Sequence, residues 1–309
     1  MKYVQYLNSL IKEKSKNCSE LVFFGQNINA GSSLSGLTRG LTIDKSGLII
    51  NTQNSENCLV GIGFGLMMNS VSSVFFMNQM DFLLLGIDHL VNTYNIVRQS
   101  NPKASFTIFP VIVDSGYEGP QSSLNNFDDF CSIAGIEGYS LTNKEDSRVI
   151  IDKHLISPGF RIISTGQRSL RENTIELGTI KQEKNGKYFQ YRKGSEVSIV
   201  CFNQALSYGK TPCDKMLDKS ISASLFSINF HLFTDYDFIL EDIQQTKKLV
   251  IIDDSKSRNR LSDKFLSFIL ESCDLNKYQI VSRKHSLEDY YPQHDKLNID
   301  YDNITNDFL

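Results

Sequence analysis

Short apolar runs alternate with segments of helical periodicity through the first half of the chain. Residues 21–24, 74–77 and 106–113 are apolar and bounded by polar or glycine residues, which indicates buried strands. Residues 58–68 form an apolar, glycine-rich segment long enough for a helix, and residues 81–97 carry apolar side chains at helical spacing. Buried strands that alternate with helices predict a mostly parallel sheet with helices on both faces.

A second alternating series begins after a polar stretch at residues 175–195, which contains the turn-forming sequence Lys184-Asn-Gly186. Residues 197–202 and 249–252 predict two further buried strands, and residues 261–271 predict a helix. The expected fold class is therefore α/β, with each half of the chain forming a mostly parallel sheet covered by helices.

The length of 309 residues is typical of two domains of ordinary size. We expect a first domain at residues 1–190 and a second at residues 191–309. Residues 1–17 place apolar side chains at helical spacing among charged ones, which predicts an amphipathic helix and not a secretory signal. The polar residues 295–309 are expected to lie over the surface or against a partner.

Composition excludes several classes of protein. The formal net charge of −3 lacks the basic excess typical of nucleic-acid binding, and 40% hydrophobic residues suffice for a packed core. No apolar run reaches the roughly 20 residues that span a bilayer. The six cysteines form no Cys-x-x-Cys pair, which favours buried, reduced thiols. We therefore expect a soluble, cytoplasmic protein that binds neither nucleic acid nor membrane.

Candidate chemistry is concentrated in residues 51–65. Glu56 comes shortly before Gly61, Gly63 and Gly65, so it is expected at the N-terminus of a helix whose glycines allow close packing. A first-turn glutamate is usually no more than a partner of the helix dipole. The residues alone leave open whether Glu56 has a chemical role.

The surrounding sequence resembles the beta subunit of the decarboxylating component of 2-oxo acid dehydrogenases, which belongs to the thiamine-diphosphate-dependent enzymes. The resemblance rests on Asn-Ser-Glu-Asn and Val-Gly-x-Gly-x-Gly at residues 54–65, and on Phe82 followed by Asp-His-Leu-Val-Asn at residues 88–92. It continues with Gly-Ser-Glu-Val-Ser-Ile-Val at residues 194–200 and Lys-Lys-Leu-Val-Ile-Ile-Asp-Asp at residues 247–254. The C-terminal half of transketolase is a more distant relative. The resemblance implies a pyrimidine-binding domain followed by a transketolase-type C-terminal domain.

The resemblance also implies roles for three residues of the first domain. Glu56 corresponds to the family's activating glutamate, which hydrogen-bonds the pyrimidine ring of thiamine diphosphate and promotes its imino tautomer. Phe82 corresponds to an aromatic residue that packs on the aminopyrimidine, and Gln79 is expected near the same pocket. The cofactor carries the carbanion chemistry, while the protein orients it and relays the proton.

One departure from the family concerns a catalytic histidine. Residues 114–123 resemble the loop that carries this histidine in both relatives, but here Gln121 is followed by Ser122 at the histidine position. A serine hydroxyl is no general acid near neutral pH. Three explanations follow: another residue such as His89 or His154 stands in, the reaction needs no such acid, or the site is degraded. Gln121 and Ser122 are the candidate substrate-loop residues.

A second departure is the lack of the Gly-Asp-Gly motif that binds diphosphate and Mg²⁺ in the family. We assign no metal ligand to this chain. The resemblance implies that an alpha-type subunit binds the diphosphate and Mg²⁺, in an α2β2 assembly with contact between beta subunits. The leading expectation is a beta-type subunit that decarboxylates a 2-oxo acid and transfers an acyl or aldehyde unit. The alternatives are half of a split transketolase, which moves a two-carbon ketol unit from a ketose, and a non-catalytic structural subunit.

Overall fold

A computed structural model describes residues 1–16, 18–43, 46–114, 119, 121, 125–283, 297 and 299–308. Over these residues the chain forms two six-stranded sheets flanked by helices, which confirms the α/β fold class predicted from the sequence. One cluster of buried apolar side chains draws on both sheets, so the two halves pack against each other.

The first sheet is built from strands that each connect to the next through a helix or a long loop. Its elements are α1 (Tyr3–Ser15), β1 (Leu21–Gly25), β2 (Leu48–Asn51), α2 (Glu56–Met68), β3 (Ser72–Met77), α3 (Tyr94–Val97), β4 (Ser105–Ile112), α4 (Phe127–Ala134), β5 (Glu137–Leu141), α5 (Lys144–His154), β6 (Gly159–Gly166) and α6 (Gln167–Arg171). The strand order is β2-β1-β3-β4-β6-β5, and each neighbouring pair is parallel. Strands β1 and β4 are buried at every residue, as expected for parallel strands covered on both faces.

The second sheet is mixed. Its elements are β7 (Lys181–Glu183), β8 (Tyr188–Arg192), β9 (Val197–Phe202), α7 (Leu206–Asp218), β10 (Ala223–Ile228), α8 (Asp237–Thr246), β11 (Lys248–Asp253), α9 (Leu261–Ser272), β12 (Lys277–Ser282) and α10 (Tyr301–Asp307). The strand order is β12-β11-β9-β10-β8-β7, with β7 and β8 antiparallel and the first four strands parallel.

The polar turn predicted around Asn185 joins β7 to β8. Lys184, Asn185 and Gly186 have φ values of 50°, 57° and 88°, the left-handed region that such a tight turn requires. Because β7 and β8 pair with the second sheet, residues 181–190 lie in that sheet, although the sequence assigned them to the first domain.

Both ends of the described chain fold onto the domains. The predicted amphipathic helix is α1, which buries Val4, Leu7 and Ile11. At the other end, α10 lies against α7, where Lys215 forms a 2.6 Å ion pair with Asp302.

Two expectations need correction. Residues 81–97 do not form one regular helix: Met80–Gly86 is a 3₁₀ segment, His89–Thr93 is a π-helical turn, and α3 completes the run. The winding changes where this segment crosses α2. The cysteines are free as expected, but only Cys131, Cys201 and Cys213 are buried; Cys18 and Cys273 are half-buried, and Cys58 is exposed. Among the described residues, no helix combines the length and hydrophobicity needed to cross a bilayer.

Candidate functional site

The predicted site residues lie at the carboxyl edge of the first sheet. Strands β2 and β3 flank β1 on opposite sides, so the chain order reverses beside β1. In open α/β sheets, the loops at such a reversal leave a crevice outside the carboxyl ends of the strands, which is the usual place for a ligand. Glu56 begins α2 after β2, and Gln79 follows β3, so both border this crevice.

Glu56 is the first residue of α2, so it lies at a helix start as the sequence predicted. Its side chain is half-buried. The aligned peptide dipoles of α2 direct their positive end toward its carboxylate and stabilise a negative charge there. The backbone at this point is tightly packed. A Cβ added to Gly86 would lie 3.4 Å from the backbone oxygen of Glu56 and 2.9 Å from Cγ2 of Val60. Glycine at position 86 therefore lets the 3₁₀ segment lie directly on α2.

Gln79 and Phe82 lie at the start of the 3₁₀ segment Met80–Gly86. Gln79 directly precedes the segment and is half-buried. It follows the end of β3 and lines the cavity described below. Phe82 is half-buried and packs against the apolar cluster that includes Val60 of α2. The helix that Glu56 begins and the segment that carries Phe82 are therefore in direct contact.

Gln121 joins the same region from the loop after β4. Its Nε2 donates a hydrogen bond to the backbone oxygen of Asp81 over 3.2 Å, directly beside Phe82. The structure thus brings Gln79, Phe82 and Gln121 together around one short segment. Ser122 lies outside the described residues, and its role stays a prediction.

His89 contacts the helix that Glu56 begins. The ring is half-buried, and its Nδ1 lies 2.8 Å from Oγ1 of Thr93. Its Nε2 faces α2 so closely that a Cβ on Gly61 would lie 2.9 Å from it. The glycine at position 61 is therefore explained by the histidine ring that packs on it.

His154, the other histidine considered as a replacement, lies at the opposite edge of the first sheet. It ends α5, shortly before β6 begins at Gly159, which puts it among the amino ends of the strands. Its Nε2 is 2.8 Å from the backbone oxygen of Asn185, its ring stacks on Tyr139, and burial lowers its pKa. This position separates His154 from Glu56, so it is not placed to act there.

A cavity of about 380 Å³ opens beside Gln79 at the carboxyl edge. It is lined by the loops after β1, β3, β4 and β6 and by the start of α1. Lys2 and Arg171 supply positive charge, and no described residue that lines the cavity is acidic. Amides and hydroxyls provide the other polar groups: Ser32, Ser35, Asn78, Gln79 and Gln167. Such a lining favours a small anion.

A second cavity of about 370 Å³ shares Lys2 and Ser35 with the first and adds Lys12 and Arg39, again without an acidic residue among the described ones. We call the two together the basic cavity. The sequence did not identify its cations, because they come from separate loops and form no motif. Only Arg171 could have been singled out from the sequence, because it closely follows a buried strand and so lies near the carboxyl edge of the sheet.

A cluster of buried charges connects the carboxyl edges of the two sheets. We call it the carboxylate junction: Asp114, Arg168, Gln204, Asp254 and Arg283. The backbone N–H of Arg168 donates to Oδ1 of Asp114 over 2.8 Å, and that of Gln204 donates to Oδ1 of Asp254 over 2.9 Å. Asp114 and Asp254 are 1% and 0% exposed. Sequence reasoning missed this cluster, although both acids directly follow predicted strands.

Burial raises the pKa of both carboxyl groups in the carboxylate junction. The pKa of Asp254 rises to about 7, because burial and the charge of Asp114 outweigh the guanidinium groups of Arg283 and Arg168. Burial also raises the pKa of Asp114, against the lowering effect of Arg168. A carboxyl group that titrates near neutral pH can bind a proton under ordinary conditions.

Sequence comparison gives two relatives of the same kind. The chain is 22% identical over 278 residues to "Pyruvate dehydrogenase E1 component subunit beta, mitochondrial" of Dictyostelium discoideum, which covers 86% of this chain and 77% of that protein. It is 20% identical over 278 residues to the corresponding subunit beta-1 of Arabidopsis thaliana, which covers 86% of this chain and 75% of that protein. No protein-family profile matches the chain.

Solved structures share the fold over nearly the whole chain. A chain described as "Split gene transketolase, inactive beta4 tetramer" has a TM-score of 0.71 at 12% identity, covering 93% of this chain and 92% of that chain. The transketolase of Campylobacter jejuni has a TM-score of 0.68 at 8% identity, covering 91% of this chain and 42% of that chain. The protein is therefore transketolase-like in fold, and its sequence resembles the beta subunits of pyruvate dehydrogenase E1.

Proposed function

We propose that this chain is the beta-type subunit of a thiamine-diphosphate-dependent enzyme that decarboxylates a 2-oxo acid and transfers the acyl or aldehyde unit. The observation that carries the proposal is the position of Glu56 at the start of α2, beside the crevice of the first sheet, with Phe82 on the segment that packs against it. The similarity to two pyruvate dehydrogenase beta subunits supports it.

The surroundings of Glu56 fit the pyrimidine half of the cofactor. A half-buried carboxyl group at a helix N-terminus is able to exchange a hydrogen bond with a ring nitrogen, and half-buried Phe82 offers an apolar face to a ring. When bound, thiamine diphosphate supplies the carbon nucleophile for the substrate carbonyl. The Oε atoms of Glu56 would exchange a proton with the bound pyrimidine ring, and Phe82 would exclude water from one side of the pocket.

The diphosphate half of the cofactor requires a different set of residues. Among the described residues, no group of three or more His, Cys, Asp or Glu side chains is placed to hold a metal ion. We assign Mg²⁺ and the diphosphate to an alpha-type partner that closes over Glu56. The solved split-gene relative, whose beta chains form an inactive β4 tetramer, supports the need for a partner.

The basic cavity supports an anionic substrate. A 2-oxo acid carries a carboxylate near neutral pH, and Lys2 and Arg171 provide the opposite charge at the wall of the cavity. Arg171 offers the paired N–H groups that suit a carboxylate, and the amides of Asn78 and Gln79 supply further donors. Gln79 lines this cavity and directly precedes the segment that packs on α2, which supports a substrate pocket next to the proposed cofactor pocket.

The second candidate function is a split transketolase. It is favoured by the fold of the split-gene beta chain, which matches over 92% of its own length. Release of CO2 from a 2-oxo acid would support the first candidate, whereas transfer of a two-carbon unit from a ketose without CO2 release would support the second. A complex that binds thiamine diphosphate and turns over neither substrate class would instead point to the structural subunit.

Substitution of Glu56 tests the proposal in the complex purified from the native cell. Glu56→Gln keeps a hydrogen-bond donor but removes the transferable proton, and Glu56→Ala removes both. We expect hydrogen–deuterium exchange at the thiazolium carbon, measured by NMR after acid quench, to fall by about 10²–10⁴-fold in both variants. The Gln variant should bind thiamine diphosphate more tightly than the Ala variant.

Glu145→Gln is the matched control, because Glu145 is a half-buried glutamate in the first turn of another helix, α5. It should leave exchange and cofactor affinity unchanged. Normal exchange in Glu56→Gln and Glu56→Ala, with assembly intact, would reduce Glu56 to a helix-dipole partner and remove the main support for the proposed function.

A further inference from the structure

The basic cavity has two lobes with different walls. The inner lobe is the cavity beside Gln79, and the outer lobe is the second cavity, of about 370 Å³. The described residues that line the outer lobe all come from the start of the chain through α1 and from residues 35–39 after β1. A ligand in the outer lobe would therefore lie apart from Glu56 and Phe82, the residues proposed to act on the cofactor.

Three cations meet in the outer lobe without a counter-charge. Lys2, Lys12 and Arg39 line it, and none of the three forms an ion pair with a described residue. Elsewhere on α1, the ammonium group of Lys14 pairs with Oδ1 of Asp152 at 3.2 Å. Like charges held close together repel one another, and an anion between them removes that repulsion. In a chain whose net charge is −3, such a cluster is typical of an anion site.

Hydrogen bonds from α1 hold Arg39 beside Lys12. The Nδ2 of Asn8 donates to the backbone oxygens of Leu37 and Arg39 over 2.8 and 3.1 Å. The ammonium nitrogen of Lys12 would lie 3.4 Å from a Cβ on Gly40, so it lies over the residue next to Arg39. The two cations are thus held at the same turn of the chain, which places their charges around one volume.

The wall between the two lobes has a strained backbone. Ser33, Leu34 and Ser35 have φ values of 49°, 48° and 57°, in the left-handed region where non-glycine residues are uncommon. The buried side chain of Leu34 anchors this turn, and Ser35 lines both lobes. Strain of this kind persists only where the surrounding contacts hold it, and it is concentrated at ligand sites and switch regions.

The donors of the outer lobe suit a phosphate-type dianion. Two ammonium groups and one guanidinium group supply three positive charges, of which a carboxylate would neutralise only one. A phosphate group neutralises two and offers several acceptor oxygens to separate donors. Oε1 of Gln5 accepts from the backbone N–H of Lys2 over 3.2 Å, so the N–H₂ group of Gln5 is left to donate to a ligand.

We propose that the outer lobe is an effector site for a phosphate-type dianion, held by Lys12, Arg39 and Lys2, and that its occupation weakens binding of the anionic substrate in the inner lobe. The coupling follows from Lys2, which lines both lobes. One ammonium group cannot fully neutralise two anions, and the two anions repel each other. Only this coupling rests on the proposed function, whereas the site itself does not.

NMR titration of the purified chain with inorganic phosphate at low ionic strength tests the site. The reporters are the backbone amides of Gly36 and Gly40, which lie beside Arg39 and Lys12. We expect both amide signals to shift saturably. The Kd should rise at least about tenfold in Lys12→Gln and in Arg39→Gln, because each removes a charge-assisted contact. Acetate, which carries a single charge, should bind at least about tenfold more weakly than phosphate.

Two control variants keep the test specific. Lys14→Gln replaces another half-buried lysine of α1, one that pairs with Asp152 and does not line the outer lobe. Arg171→Gln replaces a cation that lines the inner lobe only. Both should leave the phosphate affinity measured at Gly36 and Gly40 unchanged. The absence of saturable shifts with phosphate, equal affinity for acetate, or an equal loss of affinity in Lys14→Gln would overturn the inference.

Kinetics of the assembled enzyme test the coupling. In the wild type, KM for the 2-oxo acid should rise with phosphate concentration while kcat stays constant. The rise should be absent when Lys12→Gln and Arg39→Gln are combined. Without any thiamine-dependent turnover the proposed function fails, but the NMR titration still decides whether the outer lobe binds phosphate. A KM that phosphate does not change, in an enzyme whose outer lobe binds it, would refute the effector role.

Discussion

At the scale of single residues, Arg161 shows a buried charge held mainly by backbone oxygens. It lies on β6 with 2% exposure. Its Nη1 donates to the backbone oxygens of His154 and Ser157 at 3.0 and 2.5 Å, and its Nη2 donates to that of Pro158 at 2.5 Å. The guanidinium group therefore supplies hydrogen-bond donors to backbone oxygens of the loop before β6, which no regular helix or strand supplies.

Removing this guanidinium group should destabilise the fold. Arg161→Met fills much of the same volume but leaves the backbone oxygens of Ser157 and Pro158 without their donor, whereas that of His154 still accepts from Oγ of Ser157. The free energy of unfolding should therefore fall by about 3 kcal/mol. Urea denaturation followed by circular dichroism measures the loss. Arg148→Met is the control, since Arg148 is 63% exposed and its replacement should change stability by less than about 0.5 kcal/mol. An equal effect of the two substitutions would contradict the structural role.

The residues of the candidate site differ in how far the sequence could reveal them. Glu56 and Phe82 lie in motifs whose neighbouring residues define the position, so a resemblance was enough to single them out. Lys2 and Arg171 lie far apart in the sequence and come together only because α1 and α6 pack at the same sheet edge. Asp254 owes its raised pKa to burial and to the charge of Asp114, which lies far away in the sequence, so no local pattern encodes it.

At the scale of elements, the glycines of α2 have different functions. A Cβ on Gly63 would lie 2.1 Å from Cζ of Phe106 on β4, so glycine allows the helix to lie against the sheet. A Cβ on Gly65 would meet nothing within 4 Å. The sequence predicted that these glycines serve close packing, and this explanation holds for Gly63 but not, within this chain, for Gly65.

This difference predicts opposite effects of the same substitution. Gly65→Ala should stabilise the isolated chain by about 0.5–1 kcal/mol, because alanine restricts the unfolded chain and favours the helix. Gly63→Ala should destabilise it by about 1–3 kcal/mol, since Phe106 must move. Thermal unfolding of the two variants beside the wild type gives both signs in one experiment. Stabilisation by Gly63→Ala would show that the contact with Phe106 is looser than described.

The sequence predicted the central strands best, because they are buried on both faces and appear as continuous apolar runs. The edge strand β2 was missed: its residues are mostly exposed, and its apolar run of Leu48, Ile49 and Ile50 is only three residues long. The mixed winding of residues 80–97 could not be predicted either. Their apolar periodicity suggests one helix, and the actual path depends on contact with α2 through Gly86.

At the scale of the whole molecule, buried polar contacts join the two domains. His231, after β10, accepts or donates hydrogen bonds on both ring nitrogens: Nδ1 is 2.7 Å from Oδ1 of Asp128, and Nε2 is 2.6 Å from Oγ of Ser140. Asp128 and Ser140 belong to the first domain and are 2% and 0% exposed. These contacts lie beside an apolar cluster shared by both domains, so the domains pack as one body and present a common outer surface.

Part of that surface suits burial by another subunit. Helix α2 carries no charged residue after Glu56, yet Ile62 on it is 51% exposed, and Leu85 on the adjoining 3₁₀ segment is 56% exposed. A helix that is apolar on nearly all sides is normally buried. Because Glu56 begins this same helix, a partner that closes over Glu56 would also cover these side chains.

The proposed assembly therefore predicts that Leu85→Lys weakens association without unfolding the chain. With its alpha-type partner, the wild type should sediment as an α2β2 heterotetramer. Leu85→Lys should raise the dissociation constant of the complex at least about tenfold. The leucine buries apolar surface when the partner binds, whereas the lysine would bring a charge into the same interface. Leu217→Lys on α7, where Leu217 is 58% exposed and far along the chain from Glu56, should leave sedimentation unchanged. Full thiamine-dependent turnover by a sedimenting monomer of this chain would refute the shared active site and, with it, the need for a partner at α2.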